Sequence, residues 1–322
     1  MTTQVLILGG TGWLSGRIAR EWLNRGAAVT CLARGARPVP EGATLVRADR
    51  DDPRAYDQLA GRHWDEVVDV SSQSRHVRRA VEAVGADADH WTYVSSMSVY
   101  ADDTTIGADE RAALLAPSEE GEEADYGREK VAAEDAVRTL QARALIVRPG
   151  LIVGPGDPSD RFGYWAAAFD RAAEGAVLSP PLSQRSAQVI DVDDLAAFVV
   201  GGTGSGEVNA IGDTMPLGEM LQRIRSATAH TGELIEASED WLMANDVAHW
   251  AGERSLPLWL PADMPGFMTR DNSAFTSRGG ALSALDETIR RVVEDERMRG
   301  VDRERRAGLT RDDELALLAA LG

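Results

Sequence analysis

The segment Gly9-Gly10-Thr11-Gly12-Trp13-Leu14-Ser15-Gly16 lies between a short apolar run, Gln4–Leu8, and a stretch of helical spacing, Trp13–Asn24, in which Ile18, Trp22 and Leu23 share one side. Few folds can begin this way. A glycine turn straight after a strand permits a tight reversal. Without Cβ atoms, the backbone admits a pyrophosphate to the positive end of the following helix. One position is irregular: with Gly9 and Gly12 as the first two glycines of a GxxGxxG pattern, the third falls on Ser15, with Gly16 next to it. Serine is small enough for close helix packing.

Further β-compatible runs follow at Ala28–Ala33, Thr44–Ala48, Glu66–Val70, Trp91–Ser95 and Ala144–Val147, separated by helical stretches such as Arg75–Val84 and Gly127–Leu140. Short apolar strands alternating with helices predict an α/β fold, a Rossmann-type doubly wound parallel sheet. The expected division is a dinucleotide-binding domain over 1–150, to which 186–212 returns, and a smaller, mostly helical substrate-binding part over 151–322. Within that part, Leu151–Pro158 reads as a loop and Phe162–Ala173 as a helix. Ser186–Asp191 reads as a return to the sheet, Asp194–Val200 as a helix and Glu207–Ala210 as a strand. Asp302–Asp313 reads as a solvated helix or frayed end.

With 322 residues, 43% of them apolar, the chain can bury a large core. A net charge of −18 argues against a nucleic-acid partner, which needs a basic surface. The single cysteine, Cys31, precludes an intramolecular disulfide and reads as a small buried apolar residue. The N-terminus lacks the basic start of a signal peptide, and no run reaches the roughly 20 apolar residues of a membrane span. A cytoplasmic protein is expected. The five histidines show no metal-ligand spacing, and no metal site is expected.

The second strand ends Cys31-Leu32-Ala33-Arg34-Gly35-Ala36-Arg37. A carboxylate there would bind a ribose 2′-hydroxyl and repel a 2′-phosphate, whereas guanidinium groups bind the phosphate. The cofactor expected is therefore NADP(H) in preference to NAD(H), with Arg34 as a ligand.

In Tyr126-Gly127-Arg128-Glu129-Lys130 a phenol and an ammonium stand one helical turn apart on one face. A nearby lysine and an oxidised nicotinamide both favour the phenolate, which lets the tyrosine exchange a proton with a substrate oxygen. Ser95-Ser96-Met97-Ser98-Val99-Tyr100, at the carboxyl end of a strand, offers a hydroxyl where ligands of open α/β sheets bind.

Together with a RPGxxxGPG segment at Arg148–Gly156, these motifs resemble the extended, epimerase/dehydratase-like branch of the short-chain dehydrogenase/reductase superfamily, over roughly residues 3–215. The resemblance implies Ser96, Tyr126 and Lys130 as catalytic residues, with Lys130 also holding the nicotinamide ribose. It implies a cofactor site of Gly9, Thr11, Gly12, Trp13, Leu14, Arg34, Asp49, Arg50, Ser71, Ser72, Tyr126, Lys130 and Pro149. It further implies a homodimer through helices of the sheet domain. Arg161 and Arg185 are the candidates for the family's diphosphate-binding residues. Where the family's sugar dehydratases carry an Asp-Glu pair after the catalytic residue, this chain has Met97 and Ser98, which argues against dehydration.

The leading expectation is an NADP(H)-dependent oxidoreductase reducing a carbonyl of a small, uncharged or aromatic molecule. Trp165, Trp241, Trp250 or Trp259 would line its pocket. The alternatives are a nucleotide-sugar epimerase with bound NAD(P) and, from another class, a non-catalytic dinucleotide-binding regulator.

Overall fold

The computed structural model describes residues 1–119, 121–122 and 125–322. Seven parallel strands form its central sheet. Strand β1 (Gln4–Leu8) lies between β2 (Ala28–Ala33) and β4 (Trp64–Asp69). Strand β3 (Thr44–Arg47) flanks β2, and β5 (Ala88–Val94), β6 (Ala144–Pro149) and the strand Gly206–Ala210 continue the other side. The strand order reverses beside β1, so a crevice opens at the carboxyl ends of β1 and β4.

The apolar run of β1 is explained by what covers it. Val5 and Ile7 face a layer made by α1 (Trp13–Asn24) and α5 (Val192–Gly201). Leu6 and Leu8 face α2 (Ser74–Val84) and α3 (Tyr126–Arg138). A strand buried on both faces loses the alternation that marks a half-exposed one. On α3, Ala133 and Val137 are fully buried against the sheet, and a buried valine side chain contributes roughly 1.5–3 kcal/mol. Asp125 starts this helix, its carboxylate accepting the amide of Arg128.

A second apolar cluster belongs to the remainder of the chain. Helix α4 (Arg161–Ala172) packs against the helices Leu217–Thr228 and Leu285–Arg299 around Phe162, Trp165, Phe169, Ile224 and Val292. Among the described residues, no helix is long and apolar enough to cross a membrane.

Three expectations are corrected. Residues 186–191 do not return to the main sheet. The open side of β6 is taken by Gly206–Ala210, so Val189–Asp191 pairs instead with Leu151–Val153 in a two-stranded ribbon. That pairing also turns the first residues of the expected loop 151–158 into a strand. The charged tail is docked rather than frayed: Arg305 bonds the buried Glu296 at 2.7 Å, and Arg303 bonds Glu296 and Asp160. A helix then runs from Arg311 to Leu321.

Candidate active site

The glycine turn is held from beneath. A Cβ on Gly10 would stand 2.4 Å from Cys31 Sγ, so only glycine fits over this buried cysteine. Burial pushes the thiol up to about 12, which keeps Cys31 protonated and inert. Ser15 takes up the work of the irregular third position. Its hydroxyl donates to the Gly9 carbonyl at 2.6 Å and accepts the Gly12 amide at 3.0 Å. The first turn of α1 carries no acidic residue, and Gly12 at its N-cap has no side chain to offer the amides that follow. A positive helix end of this kind beside an open cavity suits a pyrophosphate.

That cavity measures about 490 Å³. The carboxyl edge of the sheet supplies one wall, with Gly12, Trp13, Leu14, Ser96, Tyr126, Lys130 and Pro149 all lining it. Ile211, directly after the strand Gly206–Ala210, also belongs to that edge, and Arg161, Trp250, Phe267 and Met268 from the second part of the chain complete the lining. Positions 97 and 98, where the dehydratases place carboxylates, are a buried methionine and a serine whose hydroxyl accepts from Ser96 at 3.2 Å.

Lys130 is buried, and its ammonium donates to the carbonyl oxygens of Ser71 at 2.9 Å and Val94 at 2.7 Å. It lies 5.8 Å from the centre of the Tyr126 ring. Burial pushes this lysine down to about 8, against the pull of Asp69 and Glu134. Tyr126 is 50% exposed in the cleft. Displacement of water by surrounding protein raises its phenol above the usual value, while the Ser96 hydroxyl and the Arg161 charge oppose the rise. The Lys130 ammonium, held by the two carbonyls, does not outweigh this rise.

Beneath these groups lies a buried ionic network. The Glu134 carboxylate, one turn beyond Lys130 on α3, accepts from Ser95 Oγ at 2.5 Å, from Arg148 at 2.7 and 2.9 Å, and from Arg138 at 2.6 Å. Arg148 also reaches the Tyr100 hydroxyl at 3.0 Å, which donates to Asn209 at 2.6 Å. The network ties the end of β5, helix α3 and β6 into one frame, fixing Ser96 against Tyr126 and Lys130. The i, i+4 spacing of Glu134 and Arg138 is the sequence signal for it. Gly127 brings the same elements close: a Cβ there would lie 2.3 Å from the Ser98 carbonyl oxygen.

Other expected site residues stand outside the cavity. Gly9 and Thr11 lie in the turn, Ser71 and Ser72 follow β4, and Arg34 and Asp49 are exposed beyond β2 and β3. Arg50 is turned inward. It grips Asp69 with two hydrogen bonds of 2.9 and 2.7 Å and also bonds the Tyr56 hydroxyl and the His76 carbonyl. Its guanidinium is spent on these interior partners. The side chain of Trp13 anchors the following loop, donating to the Pro155 carbonyl at 2.9 Å. Of the four tryptophans expected at the pocket, only Trp250 lines it; Trp165 and Trp259 are fully buried in the second core, and Trp241 packs on that core. Arg185 is paired with Glu239 at 2.6 Å.

Two features went unread in the sequence. Arg47, at the end of β3 in register with Ala33, packs on Gly35 beside Arg34. His63, Asp65 and Asp89 bring ligand atoms within 4.8 Å of one another at the opposite edge of the sheet. Their distance in sequence hides both groupings.

This fold and cavity define an NAD(P)-dependent enzyme of the oxidoreductase type. Residues 5–201 match the NAD dependent epimerase/dehydratase family, and the chain belongs to that family. It is 27% identical over 299 residues to the 2'-dehydrokanamycin reductase of Streptomyces kanamyceticus, covering 87% of this chain and 82% of that protein. It is 31% identical over 214 residues to the ceramide reductase of Caulobacter vibrioides (strain NA1000 / CB15N), covering 61% and 59%. Its fold is shared with the UDP-glucose 4-epimerase of Thermotoga maritima (TM-score 0.69, 13% identity, 92% of this chain and 99% of that one). The UDP-N-acetylglucosamine 4-epimerase of Bacillus cereus is similar too (TM-score 0.69, 15% identity, 95% and 100%).

Proposed function

We propose that the protein is an NADP(H)-dependent reductase of a small carbonyl compound, with Ser96, Tyr126 and Lys130 as its catalytic residues. The observation that carries this reading is their convergence, with the glycine turn and Pro149, on one cavity that has no carboxylate at positions 97 and 98. The two curated relatives are named as reductases, which supports it.

When bound, the reduced cofactor supplies a hydride to the carbonyl carbon. The chain does the rest. Ser96 holds the substrate oxygen by a hydrogen bond. Tyr126, whose raised pKa keeps it a phenol, gives that oxygen its proton and is reprotonated from solvent. Lys130 keeps a positive charge below the phenolate formed in that step, and the Glu134 network keeps the three groups in register.

Selection of NADP(H) rests on the ends of β2 and β3. Arg34, Arg37 and Arg47 are exposed there, and among the described residues none has an ion-pair partner. In a chain of net charge −18, a local group of unpaired cations suits an anion such as the 2′-phosphate. The double variant Arg34→Ala, Arg47→Ala is expected to raise the Kd for NADPH roughly ten-fold or more, as charged hydrogen bonds contribute about 1.5–3 kcal/mol. Its Kd for NADH should not change. Tighter binding of NADH than NADPH by the unaltered protein would contradict the assignment.

Lys130 gives a pH dependence. Its native pKa of about 8 lies below the ordinary 10.5. Between those values the unfolded chain binds more protons, so this residue's contribution to stability rises with pH across that window. Activity moves the other way. Above about 8 the charge below Tyr126 is lost, and kcat for reduction is expected to fall. A kcat profile flat through this range, declining only near 10.5, would contradict the desolvated lysine.

Assay of ketones and aldehydes by loss of NADPH absorbance tests the reading as a whole. One NADPH consumed per carbonyl reduced is the expected result. Inactivity with every carbonyl, in a protein that releases tightly bound dinucleotide on denaturation, would point to internal cycling instead.

A further inference from the structure

Among the described residues, the arginines Arg50, Arg148, Arg171, Arg270 and Arg305, whose side chains are at most a tenth exposed, each have a carboxylate partner. Arg161 departs from that pattern. It opens α4 and lines the cavity with Ser96 and Tyr126, yet among the described residues it has no ion-pair partner. Its Nε donates to Ser159 Oγ at 3.3 Å, and its guanidinium carbon lies 4.8 Å from the centre of the Trp250 ring. The nearest acidic influence, Asp157, is buried and already engaged, accepting the Ser159 amide and hydroxyl at 2.8 Å each. Asp157 thus holds Ser159, and Ser159 holds Arg161. Among the described residues, the two terminal nitrogens of the guanidinium have no hydrogen-bond partner.

We propose that Arg161 is the recognition point for a carboxylate carried by the substrate, so that the enzyme takes small carbonyl compounds bearing an acid group away from the reacting carbon. The proposal rests on the reductase reading above and narrows its substrate class. A planar guanidinium offers two parallel N–H groups that match a carboxylate, and stacking on an indole fixes its plane. Half-burying a cation without a charge partner carries a cost, and a bound anion offsets it. Burial already lowers the Arg161 pKa, with Asp157 and Tyr126 pulling the other way. The same cavity is lined by Leu151, Ile211, Trp250, Phe267 and Met268, which suit an apolar or aromatic body. A cavity of about 490 Å³ must also admit the nicotinamide, so the body is small. A nucleoside diphosphate would bring two phosphates to one free arginine, since Arg185 is held by Glu239. The cation equally disfavours a substrate that carries a positive charge.

The test uses three ketones that share a reacting acetyl group and an aromatic ring: 4-acetylbenzoate, its methyl ester and 4-acetylbenzylamine. Calorimetric Kd values are measured with and without NADPH, and KM values where turnover occurs. The carboxylate is expected to bind roughly ten-fold or more tighter than the ester, with the amine weakest, in line with a charge-assisted pair. Arg161→Met should bring the carboxylate to the level of the ester and leave the Kd for NADPH unchanged; Arg161→Lys should retain part of the preference. Equal affinities, failure of the carboxylate to bind, or a preference that survives Arg161→Met overturns the proposal. So does Arg161-dependent binding of UDP without any preference for the carboxylate. Because binding is also read without cofactor, failure of NADPH to bind would remove the reductase reading while the acid preference is still measured on its own.

Discussion

Replacing Tyr126 with phenylalanine is expected to lower kcat for carbonyl reduction by roughly 10²–10⁴-fold, the usual contribution of a positioned general acid. The ring stays, so its packing at the mouth of the cavity and the start of α3 are preserved. What is lost is the O–H that the proposed mechanism uses to protonate the substrate oxygen, and Ser96 cannot replace it because an aliphatic hydroxyl is a far weaker acid than a phenol. The Kd for NADPH should change little, since the glycine turn, Arg34 and Lys130 are untouched. Separate measurement of kcat and cofactor Kd checks this. A variant with full kcat would show that the proton comes from elsewhere; a variant that loses cofactor affinity in parallel would show that the hydroxyl serves binding.

The second large effect lies below the cavity. Glu134→Ala is expected to cost about 3–5 kcal/mol of stability, because it leaves the Arg148 guanidinium buried without its charge partner. Arg148 is 1% exposed and Glu134 is fully buried, so water cannot take the place of the carboxylate. Arg138 suffers less, since it keeps Asp135 at 2.8 Å and Glu207 at 3.0 Å. Denaturant midpoints give the loss. Replacing both partners with apolar residues, as in Glu134→Leu with Arg148→Met, should recover much of it, because the unpaired buried charge is then gone. Activity should not recover with stability: Ser95 loses its acceptor, and the frame that holds Ser96 against α3 loosens. A double variant no more stable than Glu134→Ala would contradict the pairing account.

The parts of the fold read most directly from the sequence are those decided locally. Helix α1 follows the glycine turn and repeats its apolar residues at helical spacing, so its limits, Trp13–Asn24, are read residue for residue. The strands of the sheet are short apolar runs because both faces are covered. Tyr126 and Lys130 are legible as a pair because one helical turn places them on one face, and Ser96 because it ends a strand. Features decided by partners far along the chain are not legible in this way. Ser186–Asp191 has the composition of a sheet strand, but Gly206–Ala210, later in sequence, occupies the position beside β6. Arg50 follows β3 where a cofactor ligand is expected, yet Asp69 on β4 captures it. The tryptophans of the second part look alike in sequence; Trp250 differs only because its neighbours open onto the cavity. The ammonium of Lys130 is claimed by the carbonyls of Ser71 and Val94, acceptors that leave no mark in the identities of those residues.

Isotope transfer tests the central claim most directly. NADPH carrying deuterium at C4 of the dihydropyridine, supplied with a carbonyl compound that the protein accepts, should yield an alcohol with one deuterium on the former carbonyl carbon and one NADP⁺ for each molecule reduced. The stereospecifically labelled pair of cofactors should divide cleanly, one transferring its deuterium and the other retaining it. Unlabelled product formed without net oxidation of NADPH would contradict the account, because the protein would then be returning hydride to its own bound cofactor.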